Sequence, residues 1–157
     1  MVDPVLFRSV LGRFASSVTV LSARDASGRD HGMTVSAFSS VSLDPPLVLV
    51  CVDKTASIYP TLFDTKYIGI SILGEQHEQV SRRFAEKDAD RFDDLEIHRG
   101  EHGVALLTGA HAHLEGRIIT RHDAGDHTIF IAAVERAAAL EGRPLIYYRG
   151  GYAQIER

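Results

Sequence analysis

Apolar side chains at Phe7, Val10, Leu11 and Phe14 recur at the spacing of one helical face, and Asp3-Pro4 ahead of them supplies an N-cap followed by a proline suited to the first turn. A short amphipathic helix is therefore predicted to open the chain. The pattern then changes to small and β-branched residues. Residues 17–24 and 31–42 read as two strands joined through the turn cluster Asp25-Ala26-Ser27-Gly28. Pro45-Pro46 cannot sit in a central strand and sets off residues 47–53, an apolar run expected to be buried on both faces. A helix start is predicted at Thr55 or Ser57, just before Pro60. Residues 67–73 read as a further strand, 75–85 as a helix with Val80 and Phe84 turned to the core, and 87–94 as a charged loop. Strands follow at 112–122 and 128–134 across the turn Asp123-Ala124-Gly125-Asp126, and at 145–148 and 152–155. Neighbouring strands joined by tight turns predict a mainly β protein, an antiparallel barrel with a few short helices rather than a doubly wound sheet.

At 157 residues the chain has the length of one ordinary domain, and residues 1–157 are read as a single one. An apolar share of 45% and a charged share of 24% are those of a folded globular protein. A net charge of −4 leaves no basic stripe to neutralise a phosphate backbone, so nucleic acid is not an expected partner. Cys51 is the lone cysteine, which excludes an intrachain disulfide and any C-x-x-C pair. With no apolar stretch of membrane-spanning length and no secretory signal at the N-terminus, the expected location is the cytoplasm.

Several familiar motifs are missing. There is no G-x-G-x-x-G after a predicted strand, no P-loop and no G-x-S-x-G elbow. His77-Glu78 begins like a zincin motif, but Ser81 stands where the second histidine is required. Four segments carry chemistry of another kind. The strand from Gly32 to Ser42 is full of hydroxyls and small side chains. It is either a solvated strand or a wall that lets a flat heterocycle approach the backbone, with Thr34 and Ser36 available to its polar edge. The run Cys51-Val52-Asp53-Lys54-Thr55-Ala56-Ser57 leads into a predicted helix start, which is either ordinary capping or a phosphate cradle completed by Lys54. His127 opens a strand after Gly125, where a ligand can come close. Tyr147-Tyr148-Arg149-Gly150-Gly151-Tyr152 reads as a closing hairpin, or as a place where Arg149 meets a ligand charge.

In this order, the strings Gly32-Met33-Thr34-Val35-Ser36-Ala37-Phe38, Ser40-Val41-Ser42-Leu43-Asp44-Pro45-Pro46, Phe84-Ala85, Asp90-Arg91-Phe92, Gly125-Asp126-His127 and Pro144-Leu145-Ile146-Tyr147-Tyr148 resemble the short-chain flavin reductase family over nearly the whole chain. The sequence departs from that family's usual pattern at Ser16-Ser17 and Ala132-Ala133. The resemblance implies a split β-barrel of the FMN-binding, Greek-key-like type. It implies a homodimer with FMN or FAD near the subunit interface, NADH or NADPH as hydride donor, and a separate flavin-dependent monooxygenase that receives the reduced flavin. It also implies that Thr34, Val35, Ser36 and Ala37 line the flavin ring and ribityl chain. Cys51, Val52, Asp53, Lys54 and Ser57 would take the phosphate end, with Phe84, Arg91 and Phe92 nearby and His127 and Tyr152 on the nicotinamide side. In such an enzyme the main catalytic task is positioning, because hydride transfer needs stacked rings with the reacting atoms about 3–3.5 Å apart. His127 is assigned to orienting the nicotinamide rather than to obligatory acid catalysis.

Two other readings stand beside this one. A flavin-binding electron carrier would share the barrel but oxidise no nicotinamide. A metal-dependent β enzyme would use His111, His113 and Glu115, which alternate along one predicted strand face.

Overall fold

The computed structural model describes residues 1–87 and 91–156. The chain opens with α1 (Pro4–Leu11), then β1 (Ser16–Ser17), β2 (Thr19–Arg24), β3 (Asp30–Val35), β4 (Phe38–Leu43) and β5 (Pro46–Asp53). It continues through α2 (Thr61–Asp64), β6 (Tyr67–Ile72), a 3-10 turn at Glu75–His77 and α3 (Glu78–Ala85). The rest is β: β7 (Ile97–Arg99), β8 (Ala105–Leu107), β9 (Ala112–Ala124), β10 (His127–Ala139), β11 (Ile146–Tyr148) and β12 (Gly151–Ala153). No helix among the described residues is long and apolar enough to cross a membrane.

Seven antiparallel strands form the main sheet, in the order β3-β2-β6-β9-β10-β5-β4. Its two outermost strands, β3 and β4, are consecutive in the chain and are joined by only Ser36 and Ala37. Three Cα–Cα steps of 3.8 Å hold those edges within about 11 Å of each other, so the sheet has to curl into a barrel. The seam between β3 and β4 is the corner itself, where Phe38 N–H donates to Ser36 O at 2.9 Å and Cys51 N–H to Ala37 O at 3.0 Å. The single long strand predicted over 31–42 is thus two strands that pair on opposite sides of the sheet, with β2 and with β5. Small residues at the corner make the change of direction possible.

Two apolar cores flank β2. Leu21 and Ala23 point into the barrel with Val50, Ile70 and Phe130, whereas Val18 just ahead of it and Val20 pack beneath α3 with Leu73, Phe84 and Leu145. Burial on both faces, expected for residues 47–53, belongs instead to β2. In β5 the burial alternates: Val48, Val50 and Val52 fill the barrel, and Leu49 and Cys51 are half-buried on the outer face.

The helices follow their local chemistry. Asp3 caps α1 as predicted, accepting from Val5 N–H at 2.8 Å and Leu6 N–H at 3.1 Å. The helix buries none of its residues, and Phe7, Val10, Leu11 and Phe14 are each at least half exposed. The helix expected from Thr55 or Ser57 starts only at Thr61, with Pro60 as N-cap. Asp53 Oδ1 accepts from both Thr55 N–H and Thr55 Oγ1 at 2.7 Å, which holds this segment in a turn. The helix predicted over 75–85 is likewise a 3-10 turn followed by α3, but Val80 and Phe84 do face the core. β7 and β8 went unpredicted, and β10 extends five residues beyond the expected 134.

Candidate functional site

Two clefts lie near the β3–β4 corner, one beside Met33 and Thr34 and the other beside Ser36 and Ala37. The first, about 400 Å³, has Met33 and Thr34 of β3 on one side, Asp53, Thr55 and Ser57 of the turn after β5 on another, and Phe84, Lys87 and Arg91 closing it. The second, about 710 Å³, lies on the outer face of β5 under α1, where Ser36, Ala37, Phe38 and Cys51 face Leu11 and Phe14. Of the residues singled out from sequence, Thr34, Asp53, Ser57, Phe84 and Arg91 thus share one cleft, and Ser36, Ala37 and Cys51 share the other. Val35 and Val52 are buried with their side chains in the barrel core, so only their main chain can face a ligand.

The wall of the first cleft is packed from behind. Phe84 is fully buried and meets Phe92 edge to face at 4.9 Å. Gly32 lies beneath both rings, where a Cβ would stand 2.7 Å from Phe84 Cε1. Arg91 Nη1 donates to Gly32 O at 2.5 Å and Nη2 to Glu86 O, tying the segment after α3 to β3. Asp90, part of the same string, lies outside the described residues.

At the rim the polar groups hold defined hydrogen-bonding roles. Thr34 Oγ1 donates to Ser81 O at 2.6 Å, so toward a ligand it can only accept. The Asp53 carboxyl is held below the usual carboxylate range, chiefly by the Thr55 N–H and hydroxyl, with smaller contributions from His127 and Lys87. Lys54 is drawn to Asp123, 3.4 Å away, and does not line the cleft, whereas Lys87 does. Among the described residues no helix N-terminus backs this turn, the next helix starting at Thr61; its groups that line the cleft are Asp53, Thr55 and Ser57, with Lys87 beside them. Burial pushes the Cys51 thiol up, leaving it neutral.

His127 pairs across the ladder with Asp53 and stands at the turn end of the β9–β10 hairpin, opposite Ala124. Its Nδ1 lies 2.7 Å from Asp126 Oδ1. A carboxylate only accepts, so in this pair the hydrogen sits on Nδ1. Tyr152 is joined to the wall indirectly. Its hydroxyl lies 2.7 Å from Ser81 Oγ, and the Arg82 guanidinium sits 4.9 Å from its ring centroid. Sequence reasoning missed Lys87 and Ser81 as site residues. Lys87 carried no motif, and Ser81 registered only as the wrong residue for a zincin.

The proposed metal face does not assemble. His113 Nε2 is committed to Leu107 O at 2.7 Å, and the buried Glu115 carboxylate accepts from Glu101 N–H and His102 N–H at 3.1 and 2.9 Å. His111 precedes β9, its N–H bonded to Ile72 O. Among the described residues no group of three His, Cys, Asp or Glu side chains is placed to hold a metal ion.

Residues 11–156 match the family described as flavin reductase like domain. The chain is 42% identical to an NADH-dependent flavin reductase of a Rhodococcus species, over 99% of this chain and 88% of the relative. It is 40% identical to an FMN reductase (NADH) of Agrobacterium fabrum, over 96% and 86% respectively. Among solved structures it superposes with a TM-score of 0.93 on an NADH:FAD oxidoreductase of Streptomyces globisporus in complex with NAD and FAD fragments. That pair is 36% identical, with 99% of this chain and 96% of the other covered.

Proposed function

Because this chain belongs to the flavin reductase family and is an NAD(P)H-dependent flavin reductase that delivers reduced FMN or FAD to a partner monooxygenase, we propose a division of labour among its side chains. The observation that carries it is that Thr34 lines the first cleft and Ser36 and Ala37 line the second, with only Val35 between them in the chain. The small side chains there suit a flat ring that must lie against backbone, and the Ser57 hydroxyl with Lys87 suits a phosphate. The residues present therefore fit a flavin.

A bound flavin supplies the acceptor for the nicotinamide hydride. The chain's own groups orient the two reactants. Thr34 accepts a hydrogen bond from the flavin, its own hydrogen being spent on Ser81 O. Main-chain groups of Val35, Ser36 and Ala37 and the Cys51 side of β5 line the ring and ribityl chain. Asp53 shapes the turn through Thr55, which leaves Ser57 and Lys87 to the phosphate, with Val52 and the Lys54 main chain, whose N–H donates to Asp126 O, supporting that turn. Phe84, Phe92 and Arg91 back the wall. His127 presents Nε2 to the carboxamide N–H of the nicotinamide, and Tyr152 stands on that same side. His127 orients the nicotinamide in this reading rather than serving as an obligatory acid.

The protein works as a homodimer in this reading, with the apolar face of α1 covered by a second copy. Phe7, Val10, Leu11 and Phe14, exposed beside the second cleft, support it. A cytoplasmic location, where reduced nicotinamides are made, goes with the same reading. The test is the rate of NADH and NADPH oxidation by purified protein without flavin and with FMN, FAD or riboflavin added. Flavin-dependent oxidation is expected; tight flavin binding with no oxidation would sink the proposed nicotinamide roles. Light scattering should give twice the chain mass, and a monomer at micromolar concentration would refute the dimer.

A further inference from the structure

We propose that Ser81 is a positioning residue that holds the Tyr152 phenol in register with the Thr34 hydroxyl, and so sets the nicotinamide side of the site against the flavin wall. The role rests on the reading above, in which Thr34 faces flavin and Tyr152 faces nicotinamide.

Ser81 lies in the middle of α3 and is fully buried. Alanine would fill the same space with a better helix propensity. The hydroxyl therefore does nothing for the helix, and a buried hydroxyl is tolerated only when it is hydrogen-bonded. Its partner is the Tyr152 hydroxyl at 2.7 Å, 71 residues away in sequence. The carbonyl of the same residue accepts from Thr34 Oγ1 at 2.6 Å, 47 residues away in the other direction. The two partners stand on different sheets, Thr34 on β3 of the main sheet and Tyr152 on β12 of the three-stranded one. Ser81 is thus a hydrogen-bonded bridge between them.

The phenol is held from more than its tip. Arg82, the next residue, sits over the Tyr152 ring, and Tyr147 meets it edge to face at 5.6 Å. A phenol has one hydrogen to donate and two lone pairs to accept with. Whichever atom donates in the Ser81–Tyr152 pair, one of those sites is used and the remaining ones are aimed. Without Ser81 the ring keeps its packing, but its hydroxyl loses its direction.

The experiment is steady-state kinetics in NADH at saturating flavin for wild type, Ser81→Ala, Tyr152→Phe and the double variant, with flavin Kd from fluorescence quenching. Ser81→Ala should raise the KM for NADH about fivefold, the equivalent of about 1 kcal/mol, with kcat and flavin Kd within about twofold. Because Ser81 acts through Tyr152, the double variant should be no worse than Tyr152→Phe alone. A Ser81→Ala KM equal to wild type, or effects of the two substitutions that multiply, would overturn the role. Equal losses in flavin Kd and KM would make Ser81 merely structural and overturn it as well. Wild-type protein that showed no flavin-dependent oxidation would remove the underlying reading; a flavin-dependent wild type with an indifferent Ser81→Ala removes the role of Ser81 alone.

Discussion

Gly32 offers a direct test of the packing that shapes the first cleft. A methyl group there would stand 2.7 Å from Phe84 Cε1 and 2.9 Å from Phe92 Cζ, well inside the optimal carbon separation of about 3.5–4.0 Å. Phe84 is fully buried and the two rings are already in contact, so neither can swing away freely. Overpacking of this kind costs about 1–3 kcal/mol. With a urea m-value of about 2 kcal/mol per molar, the Gly32→Ala midpoint should fall by about 0.5–1.5 M. The same shift disturbs ligand binding, because Phe84 lines the cleft and the Gly32 carbonyl is the acceptor for Arg91. FMN affinity should weaken by about tenfold, about 1.4 kcal/mol. Shrinking the ring relieves the clash, so Gly32→Ala with Phe84→Leu should be less destabilised than the sum of the single changes by more than about 0.5 kcal/mol. Urea curves followed by far-ultraviolet circular dichroism and flavin titrations read both quantities. A Gly32→Ala protein with unchanged midpoint and unchanged affinity would refute the account of this wall.

Other expectations follow from the rim and the barrel interior. Lys87→Ala should weaken FMN several-fold and leave riboflavin unaffected, whereas Lys54→Ala, whose ammonium is drawn to Asp123, should change neither; the reverse ranking in fluorescence titrations would be decisive against this cradle. Asp53→Asn keeps an acceptor for Thr55 but removes a negative charge from the cleft, so FMN should bind about two- to fivefold more tightly in low salt, with the gain fading in high salt. Looser FMN binding would show that the charge itself is needed. Burial holds the His113 imidazole below its ordinary value of 6.5, with the Leu107 carbonyl only partly opposing. The unfolded chain therefore takes the proton first, so stability is complete above about pH 7 and is lost as pH falls below about 6.5. His113→Gln should flatten the urea midpoint between pH 7.5 and about 5.5, and an unaltered slope would rule this group out.

Much of the fold was legible because its signals are local. The Asp3-Pro4 start, the turn between β9 and β10 and the core-facing Val80 and Phe84 depend on near neighbours in sequence. What was not legible depends on distant ones. Residues 31–42 look like one strand until β2 and β5 claim opposite ends of it. The helix expected at Thr55 gives way to tight turns, Ala56 N–H to Asp53 O and Tyr59 N–H to Ala56 O, and Pro60 has no N–H to carry a helical ladder through the segment. The family resemblance led to Thr34, Asp53, Ser57, Phe84 and Arg91, which do share a cleft. They could not lead to Ser81, whose two partners lie 47 and 71 residues away. The alternation of His113 and Glu115 was real, but its meaning was reversed. Both side chains satisfy main-chain groups of the β7–β8 hairpin and its neighbouring loop instead of facing a metal.

The strand that both cores share has a consequence for how the molecule comes apart. β2 sends Leu21 and Ala23 into the barrel and Val20 under α3, so neither core can be exposed without stripping one face of the same six residues. Partial opening that spared one core would still lose the ladder bonds of β2 to β3 and β6. The amides of β2 should therefore be the slowest in the protein to exchange with deuterated solvent, at a rate set by whole-molecule unfolding. The cleft wall on β3 hangs from that strand, and inherits its steadiness.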